Sequence, residues 1–230
     1  STWSNYEIIV VENNSTTPEI KDYYSQLLGL SGDDSYEERC KLHTVCGHDG
    51  GILHSGDGRI SIVTYHGDFN YSAVNDLGAS YASGEYILLL NNDTEVITAN
   101  WMEEMLMYAQ REDVGAVGAK LYYADKTIQH AGVVIGLGAH RTAGHTHYRI
   151  PVQNLGYMGR LCYTQNVTAV TGACLLVKKS LYEQVGGLDE SFVISLNDVD
   201  FCLKLRKLGL LNVWTPFAEL YHYESVSYTH

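Results

Sequence analysis

A chain of 230 residues, 45% hydrophobic and 18% charged, is long and apolar enough for one α/β domain with a real core, which excludes a disordered chain. Its formal net charge of -12, from 27 acidic against 15 basic residues, argues against nucleic acid or an anionic membrane as the main partner. Such a charge suits a metal that bridges acidic protein to anionic substrate. No apolar run approaches the ~18 residues of a membrane helix, and no signal-peptide pattern is visible. Five scattered cysteines point to reduced thiols in a cytoplasmic protein.

Tyr6–Val11 (YEIIVV) reads as a buried strand ending in a polar cluster, Glu12-Asn13-Asn14-Ser15-Thr16. The chain starts only five residues before this strand, which predicts a cut edge. Pro18–Leu30 reads as a helix with Pro18 near its first turn. Ser31–Arg59, rich in Gly, Asp, Ser and His, reads as an irregular insertion. Its Cys40, His43, Cys46 and His48 are a weak zinc pattern, lacking the two separated ligand pairs of common zinc modules.

Arg59–Tyr65 alternates and is β-branched, a strand. Phe69–Ser83 carries Ala73, Val74, Leu77 and Tyr81 at helical spacing, with Gly84 as its stop. Strand, helix, strand, helix, strand predicts a mainly parallel α/β sheet.

Glu85–Glu95 (EYILLLNNDTE) is the central stretch. Five apolar residues read as a strand buried on both faces, and Asn91-Asn92-Asp93-Thr94-Glu95 follow at its carboxyl end. Ligands of open α/β sheets bind at such ends, so Asp93 and Glu95 stand where a divalent cation would hold a phosphate; a plain polar turn is the alternative. Together with the polar end near Glu12, this predicts one shared cleft.

Asn100 with Glu103, and Ser180 with Glu183, look like capping boxes. Val114–Leu121 reads as a strand whose glycines allow close approach, and Ile128–Leu137 as a further strand. Ala139–Gly159, with His140, His145 and His147, reads as an irregular loop over the site. In Thr168–Val177, Gly172-Ala173 permits either a bulky ligand against the backbone or close strand packing. In Ser195–Gly209, Asn197 can cap a helix whose first turn carries Asp198 and Asp200. Residues two apart do not share a helix face, so at most one of these aspartates points into a site. Leu211–Trp214 and Ala218–Tyr223 close the pattern, with His222 and Glu224 near the end.

In this order, VVENNST, FNYSAVNDLGASYASGEYILLLNNDTEV, IQHAGVVIG, TAVTGACLLVKKSLYEQVGGLDE, NDVDFCLKLRKLG and LYHYES resemble the family 2 glycosyltransferases, which have the GT-A fold. The likeness covers most of the chain outside Ser31–Arg59. It is strongest to the bacterial subgroup that builds rhamnose-containing and other cell-surface polysaccharides.

The resemblance implies a Rossmann-like, mostly parallel sheet flanked by helices, in a single domain over residues 1–230. It implies a Mn2+ or Mg2+ cofactor, a UDP- or dTDP-sugar donor and a glycan acceptor. Asp93 matches the metal-binding aspartate, Asn91 stands for the first aspartate of the Asp-X-Asp segment, and His222 matches a late histidine near the metal. Glu12, Asn14, Asn70 and Asn75 fall at donor positions. Asp198 matches the catalytic base, with Asn197, Asp200 and Gly172 as acceptor or supporting residues. The family's opening strand and helix have no counterpart here, which predicts an incomplete donor site with weak or no activity, and exposed strand edges that favour self-association. A sugar nucleotidyltransferase and a nucleotide-sugar or glycan-binding module are the competing readings.

Overall fold

The computed structural model describes residues 2–32, 34–43, 50–137 and 142–223. Cys46 and His48 of the zinc pattern, His140 and Glu224 lie outside the described residues. The chain divides into two units, one of Asn5–Gly84 with Glu190–Ile194, the other of Ser1–Ser4, Glu85–Asp189 and Ser195–His230.

In the first of these units, β1 (Ile8–Glu12), α1 (Pro18–Leu28), α2 (Tyr36–His43), β2 (Gly50–His54), β3 (Ile60–Thr64) and α3 (Tyr71–Tyr81) follow in order. β1 runs parallel to β3, from Ile8 opposite Ile60 to Glu12 opposite Thr64, and β2 lies antiparallel on β3. Pro18 sits in the first turn of α1, where its missing N–H costs nothing, and Gly29 takes the left-handed conformation (φ 71°) that ends it. Tyr24, Leu28, Tyr36, Leu53 and Ile62 form the core. The stretch expected to be irregular thus contains α2 and β2.

The other unit contains β4 (Tyr86–Leu90), β5 (Thr94–Val96), α4 (Trp101–Ala109), β6 (Val114–Tyr122), β7 (Ile128–His130), β8 (Val133–Ile135), β9 (Ala143–His145), β10 (Gln165–Val167), β11 (Cys174–Lys178), α5 (Lys179–Gln184), α6 (Asn197–Lys207) and β12 (Leu211–His222). The main sheet runs β10-β12-β6-β11-β4, with β5 on β12 and β7 on β6, while β8 and β9 pair separately.

β6 is the true centre, buried at all nine positions. Val117, Ala119 and Leu121 join Trp101 and Met105 of α4 in one core. Their side chains alternate with Gly118, where an added Cβ would lie 2.5 Å from Val170 Cβ. Burying a side chain such as Leu121 contributes roughly 1.5–3 kcal/mol. The close approach expected of the glycines is therefore present.

The α/β class is as expected, but the strand directions are mixed. β6–β12 and β1–β3 pair parallel, whereas β4, β5, β7 and β10 each pair antiparallel. β4 is not buried on both faces: Ile87 and Leu89 are buried, Tyr86 and Leu88 only partly, and Leu90 is exposed. Nor do the two polar strand ends share a sheet, since β1 belongs to the three-stranded one and β4 to the seven-stranded one. Leu211–His222 is a single strand, and its register against β6 shifts between Trp214 and Glu219, where Pro216 stands.

Neither capping box forms. Asn100 precedes α4 but its side chain donates to Glu104 (3.0 Å), and Glu103 is taken by the Thr2 hydroxyl. Ser180 lies inside α5, and Glu183 pairs with Lys179 at 3.7 Å.

Candidate active and metal site

The turn after β4 brings Asn91 and Asp93 to the end of β12. The Tyr223 N–H donates to the Asp93 carbonyl (2.9 Å), and Thr94 pairs with His222 across β5 and β12. This seats the Asp93 carboxylate beside the His222 ring, with Oδ1 3.1 Å from Nε2. Asp93 Oδ1 is enclosed, and it has no hydrogen-bond partner among the described residues. Asn91 Nδ2 also lies 3.1 Å from Nε2. On the ring's far side, Nδ1 is 2.7 Å from Gln129 Oε1, and Gln129 Nε2 donates to the His222 carbonyl at 3.3 Å.

An enclosed carboxylate oxygen without a donor, next to a ring nitrogen, is a donor set that fits a divalent cation. The imidazole nitrogen favours Mn2+ over the harder Mg2+. No group of three or more His, Cys, Asp or Glu stands together among the described residues. Asp93 and His222 would supply two ligands to such a cation and leave its other positions open. Glu95 lies apart from this pair: it is exposed, and Tyr223 donates to its carboxylate at 2.5 Å.

The second motif opens α6. Asp198 Oδ2 accepts from the Gly172 N–H (3.0 Å), and Oδ1 accepts from the Val199 N–H (2.8 Å). Asn197 is the first helical residue and not the cap; that place falls to Leu196 in the left-handed conformation (φ 68°), and Asn197 Oδ1 accepts from the Asp198 N–H. Asp200 turns to Lys204 one helical turn on, at 3.1 Å. Asp198 is thus held by two backbone N–H groups, and Asp200 by an ion pair along the helix.

The backbone of residues 171–173 ties the motifs together. The Ala173 carbonyl accepts from the Asn91 N–H (3.1 Å), Gly172 holds Asp198, and the Thr171 N–H donates to His130 Nε2 (3.4 Å). His130 is fully buried and its Nδ1 lies 2.9 Å from His145 Nδ1. Burial first, then the neighbouring His145 and His222, hold His130 well below the usual histidine range.

The remaining candidates lie in the other unit, where each has a local partner. The buried Glu12 carboxylate accepts from Ser15 N–H (2.5 Å), Ser15 Oγ (2.7 Å) and Tyr24 OH (2.8 Å). Burial and this bond push the Tyr24 phenol up. Asn14 adopts φ 57° and donates to the Gly67 carbonyl (3.1 Å). Asn70 caps α3 by accepting from the Ala73 N–H (3.2 Å), and Asn75 donates within α3 to the Tyr71 carbonyl (2.8 Å). Sequence reasoning assigned no role to Gln129 or His130. Two polar residues inside the apolar run IQHAGVVIG were the available signal.

A family model described as "Glycosyl transferase family 2" matches residues 52–186, more than half of the chain. The chain belongs to glycosyl transferase family 2. It is 42% identical to an uncharacterised protein, y4gI, of Sinorhizobium fredii, over 99% of this chain and 22% of that protein. It is 35% identical to the O-antigen biosynthesis protein RfbC of Myxococcus xanthus, over 98% of this chain and 15% of RfbC. A shorter match, 43% over 58 residues, covers 25% of this chain and 19% of an N-acetylglucosaminyl-diphospho-decaprenol L-rhamnosyltransferase of Mycobacterium tuberculosis. The chain thus spans less than a quarter of the length of the first two of these curated relatives.

Among solved structures, GalNAc-T7 with UDP, GalNAc and Mn2+ superposes over 96% of this chain and 38% of that one, with TM-score 0.66 and 12% identity. At that identity the likeness shows the fold, which is GT-A. The chain is therefore a family 2 protein with the GT-A fold.

Proposed function

We propose that this family 2 chain is the catalytic part of a metal-dependent inverting glycosyltransferase. It moves a sugar, rhamnose or a hexose, from a UDP- or dTDP-sugar to a glycan acceptor in cell-surface polysaccharide synthesis. The carrying observation is the Asp93–His222 pair, an enclosed carboxylate oxygen 3.1 Å from an imidazole nitrogen. A divalent cation held there would offset the charge that grows on the departing nucleoside diphosphate. The Mn2+ in the GalNAc-T7 structure and the O-antigen and rhamnosyltransferase relatives support the cofactor and the pathway class.

Asp198 acts as general base. Its carboxylate, oriented by the Gly172 and Val199 N–H groups, takes the proton from the acceptor hydroxyl. The hydroxyl oxygen bonds to the anomeric carbon from the face opposite the diphosphate, and the bond to the diphosphate oxygen breaks with its electron pair leaving on the nucleotide. Configuration at the carbon inverts, and no protein nucleophile is needed. Gly172 positions the base, and Asp200 stabilises the helix through Lys204.

Substituting Asp198→Asn tests this. Transfer should fall by about 10²- to 10⁴-fold while donor binding persists. A binding module with a decayed site would lose little of its binding and would have no turnover to lose.

A further inference from the structure

We propose that Gln129 is a positioning residue that holds His222 in the tautomer with its proton on Nδ1, so that Nε2 presents a lone pair to the metal site. This rests on the reading of Asp93 and His222 as cation ligands.

The hydrogen-bond geometry assigns the proton. The His222 carbonyl can only accept, so the group facing it at 3.3 Å is the Gln129 amide nitrogen. Gln129 Oε1 then faces Nδ1 at 2.7 Å, and an amide oxygen also only accepts. Nδ1 must therefore carry the hydrogen, and Nε2 of the neutral ring is bare. Asn91 Nδ2, a donor 3.1 Å from Nε2, agrees with this. Asp93 Oδ1, an acceptor at the same distance, makes no hydrogen bond among the described residues, and a cation is what would reconcile it with a bare nitrogen.

The backbone aims Gln129 at this task. Leu121 pairs with His130 and Tyr122 with Ile128, so Gln129 is the extra residue of a bulge between β6 and β7. Bulges re-aim a side chain at the cost of one ladder position. Here the side chain sent inward is an amide, buried where an apolar residue would pack.

The alternative tautomer would undo the site. A proton on Nε2 would be donated to Asp93 Oδ1, and the two ligands would satisfy each other. A cation would then have to displace that proton before binding. Outer hydrogen bonds that fix a ligating histidine commonly carry 10–100-fold of metal affinity.

The test uses the metal-free chain with 15N-labelled histidine, and long-range 1H–15N NMR of the His222 ring recorded where the ring is neutral. The wild type should show the proton on Nδ1. Gln129→Met should move it toward Nε2, and Gln129→Glu, which keeps an acceptor, should leave it on Nδ1. Mn2+ affinity should fall about 10–100-fold in Gln129→Met and be largely restored in Gln129→Glu. A wild-type ring protonated on Nε2, or a tautomer unchanged by Gln129→Met, would overturn the proposal. The wild-type and Gln129→Glu spectra decide the matter even where the Met variant fails to fold. If the tautomer responds as expected and Mn2+ binds none of the proteins, the role of Gln129 stands and the metal-site reading falls.

Discussion

Oδ1 of Asp93 and Nε2 of His222 face each other at 3.1 Å, and the carboxylate oxygen has no hydrogen-bond donor among the described residues. With the proton of His222 on Nδ1, as proposed above, two lone pairs face each other here and are unfavourable until a cation joins them. Asp93→Asn replaces one acceptor with an amide that can donate to Nε2. The metal-free variant should therefore gain about 0.5–1.5 kcal/mol of stability. Its Mn2+ affinity should drop by at least about 100-fold. Chemical denaturation without metal, followed by electron paramagnetic resonance of free Mn2+, reads both; a loss of stability would show that the pair is not strained.

His130 predicts how stability depends on pH. Its folded pKa lies well below the usual histidine value of about 6.5, because burial disfavours the imidazolium. The unfolded chain therefore binds the proton first as pH falls. The stabilising contribution is complete above the unfolded pKa and is lost as pH drops below about 6.5, by up to ~1.4 kcal/mol per pH unit. Urea midpoints across this window should decline in the wild type and decline less steeply in His130→Gln.

Gly118 predicts a packing penalty. A Cβ there would stand 2.5 Å from Val170 Cβ, so Gly118→Ala should cost about 1–3 kcal/mol. Adding Val170→Ala should recover part of the loss, since the two sites touch and their effects are not additive. Thermal unfolding of the single and double variants measures the coupling.

Strand and helix positions were largely legible because apolar runs and turn residues are local signals. β3, α3 and β6 fall where alternation, helical spacing and a small-residue run place them. Strand direction was not legible. The run Tyr86–Leu90 looks buried on both faces, yet β4 pairs antiparallel with β11 and leaves Leu90 exposed. Direction depends on distant pairing, which no local pattern encodes. The capping boxes failed for a similar reason, as Glu103 is claimed by Thr2, 101 residues away.

Of the candidate site residues, Asp93 was visible as a polar residue ending an apolar run and Asp198 as an acidic residue opening a helix, whereas His222 was singled out only by the family resemblance. Gln129 was not visible, because its role depends on a bulge that turns it toward a histidine 93 residues away. The donor candidates Asn70 and Asn75 carry a cap and an intrahelical bond, tasks that the residue type serves as readily as nucleotide binding.

The most direct test is calorimetric titration of UDP and dTDP into the chain with and without Mn2+. The account predicts binding that requires Mn2+, survives Asp198→Asn and is abolished by Asp93→Ala. Nucleotide binding that ignores both Mn2+ and Asp93→Ala would contradict it.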